Sequence, residues 1–196
     1  MVLIIFEGPD GVGKTTQIKN ISKRLAELNV ETLILRFPNP TTELGQRIRL
    51  AIKDSNISPM ELQLLFAIER YIELENLKEV KKEKIIFFDR FYYSGQIYGE
   101  LSGLDKRLLE LTNVYNIEPD LIIHFDGVGH DLGNDRFSDL EFQKKINEMY
   151  NQKFRDMKNV FKVSTKLSID ATTDIICKEL NKRFLYNFFS QCKPSQ

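Results

Sequence analysis

Val2-Leu3-Ile4-Ile5-Phe6-Glu7 runs directly into Gly8-Pro9-Asp10-Gly11-Val12-Gly13-Lys14-Thr15-Thr16. The first part is an unbroken apolar run ending in an acid, as expected of a central parallel strand covered on both faces. The second is G-x-x-x-x-G-K-T, a phosphate-binding loop. Its glycines let the backbone curl until successive N–H groups point inward at phosphate oxygens. Gly8, Gly11, Val12, Gly13, Thr15 and Thr16 belong to that cradle. Lys14 brings a mobile charge to the β- and γ-phosphates, and the Thr15 hydroxyl can ligate Mg2+. The following helix turns its positive end toward the same anion.

Outward from the loop, strand and helix patterns alternate. Ile18, Ile21, Leu25 and Leu28 recur at helical spacing over 14–28. Residues 30–37 read as a second strand, stopped by Phe37-Pro38-Asn39-Pro40, and 43–53 as a helix with Leu44, Ile48 and Ile52 on one face. Ser58-Pro59-Met60-Glu61 is a helix start with an N-cap serine, a first-turn proline and a capping-box glutamate; that helix is expected to run to about residue 80. Further strands are expected at 84–88, 119–125 and 160–164, and further helices at 104–115, 138–157 and 168–185. Five βα units with short connections predict an α/β fold, a five-stranded parallel sheet with helices on both faces. The 196 residues fit a single domain, with a short Gly-rich lid at about 127–137 and a C-terminal helix and tail from about 168 onward.

Bulk composition narrows the function classes. Lys+Arg and Asp+Glu balance at 28 each, which argues against a general nucleic-acid binder. Cys177 and Cys192 lack metal-ligand spacing, and a reducing compartment is expected. No apolar stretch approaches the ~20 residues of a membrane span, and residues 2–6 are too short for a signal peptide. Cytoplasmic location is expected, or host cytoplasm or nucleus for a viral source. His124, on a buried strand, is expected to be a satisfied core histidine.

Asp89-Arg90-Phe91-Tyr92-Tyr93-Ser94-Gly95-Gln96-Ile97-Tyr98 follows the third strand. An acid at the C-terminal end of a buried strand stands where open α/β sheets bind ligand. Beside a phosphate loop, Asp89 can hold Mg2+ directly or through water, and Arg90 can grip a phosphate.

Five motifs in register make the chain resemble the thymidylate kinases, nucleoside-monophosphate kinases with the P-loop kinase fold. They are Phe6-Glu7-Gly8-Pro9-Asp10-Gly11-Val12-Gly13-Lys14-Thr15-Thr16-Gln17, Leu64-Leu65-Phe66-Ala67-Ile68-Glu69-Arg70, Asp89-Arg90-Phe91-Tyr92-Tyr93-Ser94, Pro119-Asp120-Leu121 and Asp135-Arg136-Phe137. The resemblance implies transfer of a phosphoryl group from ATP, with Mg2+, to thymidine 5′-monophosphate (dTMP), in a homodimer. It implies that Asp10 accepts a hydrogen bond from the acceptor's 3′-hydroxyl, which explains a carboxylate inside an anion-binding loop. Phe66 is expected to stack on the pyrimidine and Arg70 to bond the carbonyl at position 4. Ser94 and Gly95 are expected near ring position 3, and Tyr98 where a ribose 2′-hydroxyl would sit. Phe37 is expected to border the acceptor. Arg90 is expected to bridge the two phosphates, and Arg136 to approach ATP from the lid. The expected catalytic set is thus Lys14, Arg90, Arg136 and Asp10.

Two departures from the family pattern matter. Gly11 stands where one branch has a basic residue, and the stretch 127–136 holds only His130 and Arg136 as basic side chains. The transition-state role is therefore assigned to Arg136 with help from Arg90. Pro40 stands near where many members place an acceptor-phosphate arginine, so that contact is assigned to Arg49 and Arg90. Two other functions compete: a kinase of other deoxynucleotides (dUMP among them) or of a deoxynucleoside, and a P-loop NTPase switch.

Overall fold

The computed structural model describes residues 1–53, 57–79, 84–129 and 139–185. Five strands form one sheet: β1 (Val2–Glu7), β2 (Thr32–Arg36), β3 (Ile85–Asp89), β4 (Leu121–Asp126) and β5 (Val160–Ser164). All neighbours are parallel, in the order β2-β3-β1-β4-β5. The chain builds to one side of β1 with β2 and β3, then to the other with β4 and β5. That reversal opens a crevice at the C-terminal end of β1. Register sets what meets there: Phe6 is paired with Asp89, Asp89 with Arg36, and Glu7 with His124.

The side chains of β1 alternate between two cores. Leu3 and Ile5 join Leu74, Tyr92, Ile97, Ile146 and Tyr150 on one face. Ile4 and Phe6 join Ile18, Ile21, Ile176 and Leu180 on the other. The first face is covered by α3 (Pro59–Leu77), α4 (Tyr92–Leu101) and α6 (Leu140–Lys153), the second by α1 (Lys14–Glu27) and α7 (Ile169–Leu180). Because both faces are covered, β1 and β3 are buried almost throughout. That is why they read as continuous apolar runs rather than alternating ones.

Caps set the helix starts. Ser58 accepts from the Glu61 N–H at 3.2 Å while Glu61 accepts from the Ser58 N–H at 2.9 Å, with Pro59 in the first turn. Asp139 and Ser168 cap α6 and α7 by accepting from the N–H groups of Phe142 and Ala171. α2 (Glu43–Lys53) lies beside α3.

Some boundaries differ from the sequence expectation. α3 stops at Leu77, and the helix expected over 104–115 is a short α5 (Lys106–Leu111). α4 was not expected at all. Its sequence, Tyr92-Tyr93-Ser94-Gly95-Gln96-Ile97-Tyr98-Gly99-Glu100-Leu101, holds three tyrosines and two glycines, all poor helix formers. Tertiary burial of Tyr92, Tyr93 and Ile97 outweighs that propensity. α7 passes into one π-helical turn at Asn181–Leu185, and the aromatic tail from 186 onward lies outside the described residues. His124 is a core residue as expected, but it is not satisfied: Nε2 is buried with no partner among the described residues. Burial lowers this imidazole to about 4.

Candidate active site

The phosphate loop follows β1 without an intervening turn. Gly8, Gly11 and Gly13 take φ of 145°, 68° and 89°, a region open to glycine at little cost. Gly13 is the N-cap of α1, so the first free N–H groups of that helix face the loop's hollow. Lys14 opens the helix, is 6% exposed, and folds back so that Nζ donates to the Gly8 carbonyl at 3.0 Å and to that of Pro9. Burial lowers its ammonium pKa and the nearby Arg90 lowers it further, against the opposing pull of Asp10 and Asp89.

Thr15 and Asp89 meet from α1 and the end of β3. Thr15 Oγ1 donates to Asp89 Oδ2 at 2.5 Å, and Arg36 Nε lies 3.5 Å from the same oxygen. Two hard oxygen donors at the mouth of the loop suit Mg2+, which takes one or two protein oxygens and completes its shell with phosphate and water. Among the described residues no group of three or more His, Cys, Asp or Glu could form a cage for a metal.

Arg90 is the hub of the crevice. Its backbone has φ of 71°, a left-handed conformation that costs a non-glycine residue about 1–2 kcal/mol. Several bonds hold it there. Its N–H donates to the Phe6 carbonyl at 3.1 Å, extending the sheet pairing by one residue. Its Nη1 donates to the Gly8 carbonyl at 3.2 Å and Ser94 Oγ at 3.0 Å, and its Nη2 pairs with Asp10 Oδ1. Asp10 is held from three more directions. Tyr98 OH donates to its Oδ2 at 2.7 Å, its own N–H donates to Gln143 Oε1 at 2.8 Å, and Gln143 Nε2 approaches Oδ2 at 3.4 Å. Burial alone would raise the Asp10 carboxyl, but Arg90, Lys14 and Tyr98 outweigh it and hold the pKa down to about 2. The same pair raises Arg90 well above the usual guanidinium range against its own burial.

Beneath this hub sits Glu7, fully buried. One of its oxygens accepts from the N–H groups of Phe91 at 2.8 Å and Ser94 at 3.3 Å. Those are the N-cap and third-position donors of α4, so a carboxylate from β1 does the work that a capping box would do within one helix. The other oxygen accepts from Ser94 Oγ at 2.6 Å and Tyr150 OH at 2.7 Å. Burial raises the Glu7 carboxyl, with Ser94 and Arg90 opposing.

Above the hub lies a cavity of about 330 Å³. Asp10, Phe37, Arg49, Phe66, Arg70, Arg90, Ser94, Gly95 and Tyr98, all singled out from the sequence, line it together. Phe66 is half-buried on its wall. Arg70 is 2% exposed, donates through Nη2 to Asn113 Oδ1 at 2.8 Å, and has its pKa lowered to about 10 by burial. Arg49 reaches the cavity from α2. Arg136 and most of the lid lie outside the described residues. Of the lid, 127–129 are described, and Gly129 packs on the phosphate loop so closely that a Cβ there would stand 2.3 Å from the Asp10 carbonyl.

Sequence reasoning missed Glu7, Gln143 and Tyr150 as supports of the site, and Gln63, Arg36 and Lys53 as cavity walls. Glu7 carried one readable signal, an acid closing an otherwise apolar strand. Gln143 and Tyr150 carried none, since they share the α6 face of Ile146 and pass for ordinary core positions.

Comparison with known proteins gives a consistent picture. The family model "Thymidylate kinase" matches residues 6–176. A thymidylate kinase of Dictyostelium discoideum is 32% identical over 164 residues, which is 79% of this chain and 74% of that one. A probable thymidylate kinase of Methanococcus maripaludis is 34% identical over 157 residues, covering 75% and 74%. The solved thymidylate kinase of Candida albicans shares the fold, with a TM-score of 0.74 at 21% identity over 92% of this chain and 91% of that one. With a family model spanning most of its length and relatives above 30% identity, the chain belongs to the thymidylate kinase family.

Proposed function

We propose that the protein transfers the γ-phosphoryl group of ATP to thymidine 5′-monophosphate, giving dTDP and ADP. One observation carries the reading: a single cavity adjoins the phosphate loop and joins an aromatic–arginine end, Phe66 and Arg70, to an acid–arginine end, Asp10 and Arg90. Such a cavity suits a molecule with a flat base at one end and a sugar phosphate at the other.

The roles follow from chemistry. The loop N–H groups and Lys14 bind the β- and γ-phosphates. Thr15 and Asp89 supply the protein oxygens for Mg2+. When bound, that ion neutralises charge on the phosphoryl oxygens. Phe66 stacks on the pyrimidine and Arg70 donates to its carbonyl at position 4. Tyr98, anchored on Asp10, fills the space beside the sugar and selects deoxyribose, while Asp10 accepts from the 3′-hydroxyl. Arg90 and Arg49 hold the acceptor phosphate. That phosphate is already anionic, so the reaction needs alignment and charge neutralisation more than a general base. Arg136 approaches ATP as the lid's arginine.

The working unit is a homodimer in a reducing compartment, the cytoplasm. Leu64, Ile68, Tyr71 and Ile72 form an apolar stripe on α3, each between 43% and 50% exposed, beside Val114 and Tyr115. A monomer seldom leaves so many large apolar groups together in water. No helix of the described residues is long and apolar enough to cross a membrane.

The test is ADP formation from ATP with a panel of monophosphates and thymidine. Turnover is expected with dTMP and, more weakly, with dUMP. ADP release that does not depend on any acceptor would instead indicate a nucleotide switch.

A further inference from the structure

Gln63 is a buried amide on α3 that the roles above leave unused. It is 4% exposed and lines the cavity beside Arg70 and Gly95. A Cβ at Gly95 would stand 3.3 and 3.4 Å from the two amide atoms of Gln63 and 3.4 Å from Nη1 of Arg70. An amide and a guanidinium therefore converge on the space that Gly95 leaves bare.

The neighbours fix which way the amide points. Thr112 Oγ1 donates its single proton to the Leu109 carbonyl at 3.0 Å. Toward Gln63 it can only accept, and Gln63 Nε2 donates to it at 3.2 Å. The amide nitrogen is thus committed to Thr112, and Oε1 is left as an acceptor with no donor paired to it among the described residues. Arg70 is the complement. Its Nη2 is committed to Asn113, while Nη1 is the atom that faces Gly95. Side by side, the site offers one fixed acceptor and one fixed donor.

We infer that Gln63 Oε1 accepts the N3–H of the pyrimidine while Arg70 donates to the carbonyl at position 4, so that the pair reads the base edge. The inference rests on the reading above that the base of the monophosphate occupies this end of the cavity. Thymine and uracil present an acceptor at position 4 and a donor at position 3. Cytosine presents a donor at position 4 and a lone pair at position 3, so both contacts turn like against like. A buried polar group left facing its own kind costs more than a bond merely absent. The Thr112–Leu109 contact is a positioning element, because it stops the amide from rotating to suit cytosine.

The experiment measures kcat and KM for dTMP, dUMP and dCMP in the wild type, Gln63→Leu and Thr112→Val, with the KM for ATP as control. Gln63→Leu is expected to raise the KM for dTMP and dUMP about tenfold. The KM for ATP stays unchanged, and the preference for dTMP over dCMP shrinks by at least as much. Thr112→Val is expected to leave dTMP turnover within about threefold while raising that of dCMP, because the amide is freed to turn. A merely structural role for Gln63 would slow all three substrates alike. A dTMP-to-dCMP preference unchanged within about twofold in both variants overturns the inference; if Gln63→Leu does not fold, Thr112→Val decides alone. A wild type that phosphorylates none of the three overturns the proposed reaction itself, a result distinct from an active enzyme whose selectivity ignores Gln63.

Discussion

The two ends of the acceptor cavity hold their cations in opposite ways. At the deep end, Arg90, its side chain 17% exposed, is bonded to Asp10, Ser94 and the Gly8 carbonyl, and underpinned by Glu7 and Tyr150. At the rim, Arg49 reaches the same cavity from α2 half-buried, with no hydrogen bond or ion pair among the described residues. The deep cation is oriented before any ligand arrives, so it loses nothing by being ordered when the reaction begins. The rim cation must give up rotamer freedom worth about 1.5–2 kcal/mol to make its contact. Under the proposed reaction, placement at the deep end would serve the transition state, whereas reach at the rim would serve capture of the phosphate.

That contrast can be broken at its strongest point first. Arg90→Ala is expected to lower kcat about 10³-fold, the scale seen when an arginine that stabilises transferring phosphoryl charge is removed, measured by steady-state ADP formation with saturating dTMP. A loss confined to KM would make the deep end a capture site after all. Arg49→Ala should act the other way, raising the KM for the monophosphate about tenfold with kcat and the KM for ATP nearly unchanged. An equal fall in kcat would erase the distinction between the two ends.

The smallest effect is a pH slope. Glu69 accepts from the Asn39 N–H at 2.7 Å, and burial raises its carboxyl from an ordinary value near 4.5 to about 7. A raised folded pKa means stability present below pH 4.5 and lost as pH climbs through 7. His124 carries the opposite sign, because its folded pKa falls from 6.5 to about 4 and stability rises with pH between those values. Glu7, buried and likewise raised, adds to the falling side. Glu69→Gln removes one falling contribution, so between pH 4.5 and 6.5 its urea midpoint should gain more, or lose less, with rising pH than the wild type's. A variant profile parallel to the wild type's would refute the assignment.

The sheet was legible because its strands are short, apolar and punctuated, and the phosphate loop because only glycine, lysine and threonine at that spacing make one. Many of the residues that line the cavity could be named from the sequence, though Gln63, Arg36 and Lys53 could not. What could not be read was the support. α4 lacks helical propensity and exists because its tyrosines are buried against the sheet. Glu7 caps a helix more than eighty residues ahead, a pairing that no local pattern encodes. Gln143 and Gln63 are glutamines on helices, and only the fold reveals that each aims an amide at one particular partner.

The contacts of Asp10 tie distant stretches of the chain to one residue. Gly129 abuts its carbonyl, and Gln143, in the first turn of α6, holds its N–H and carboxylate. Asp10 is therefore the clasp of the crevice: through one residue, Gly129 and the start of α6 are registered against the phosphate loop, and a shift of either is felt at the carboxylate.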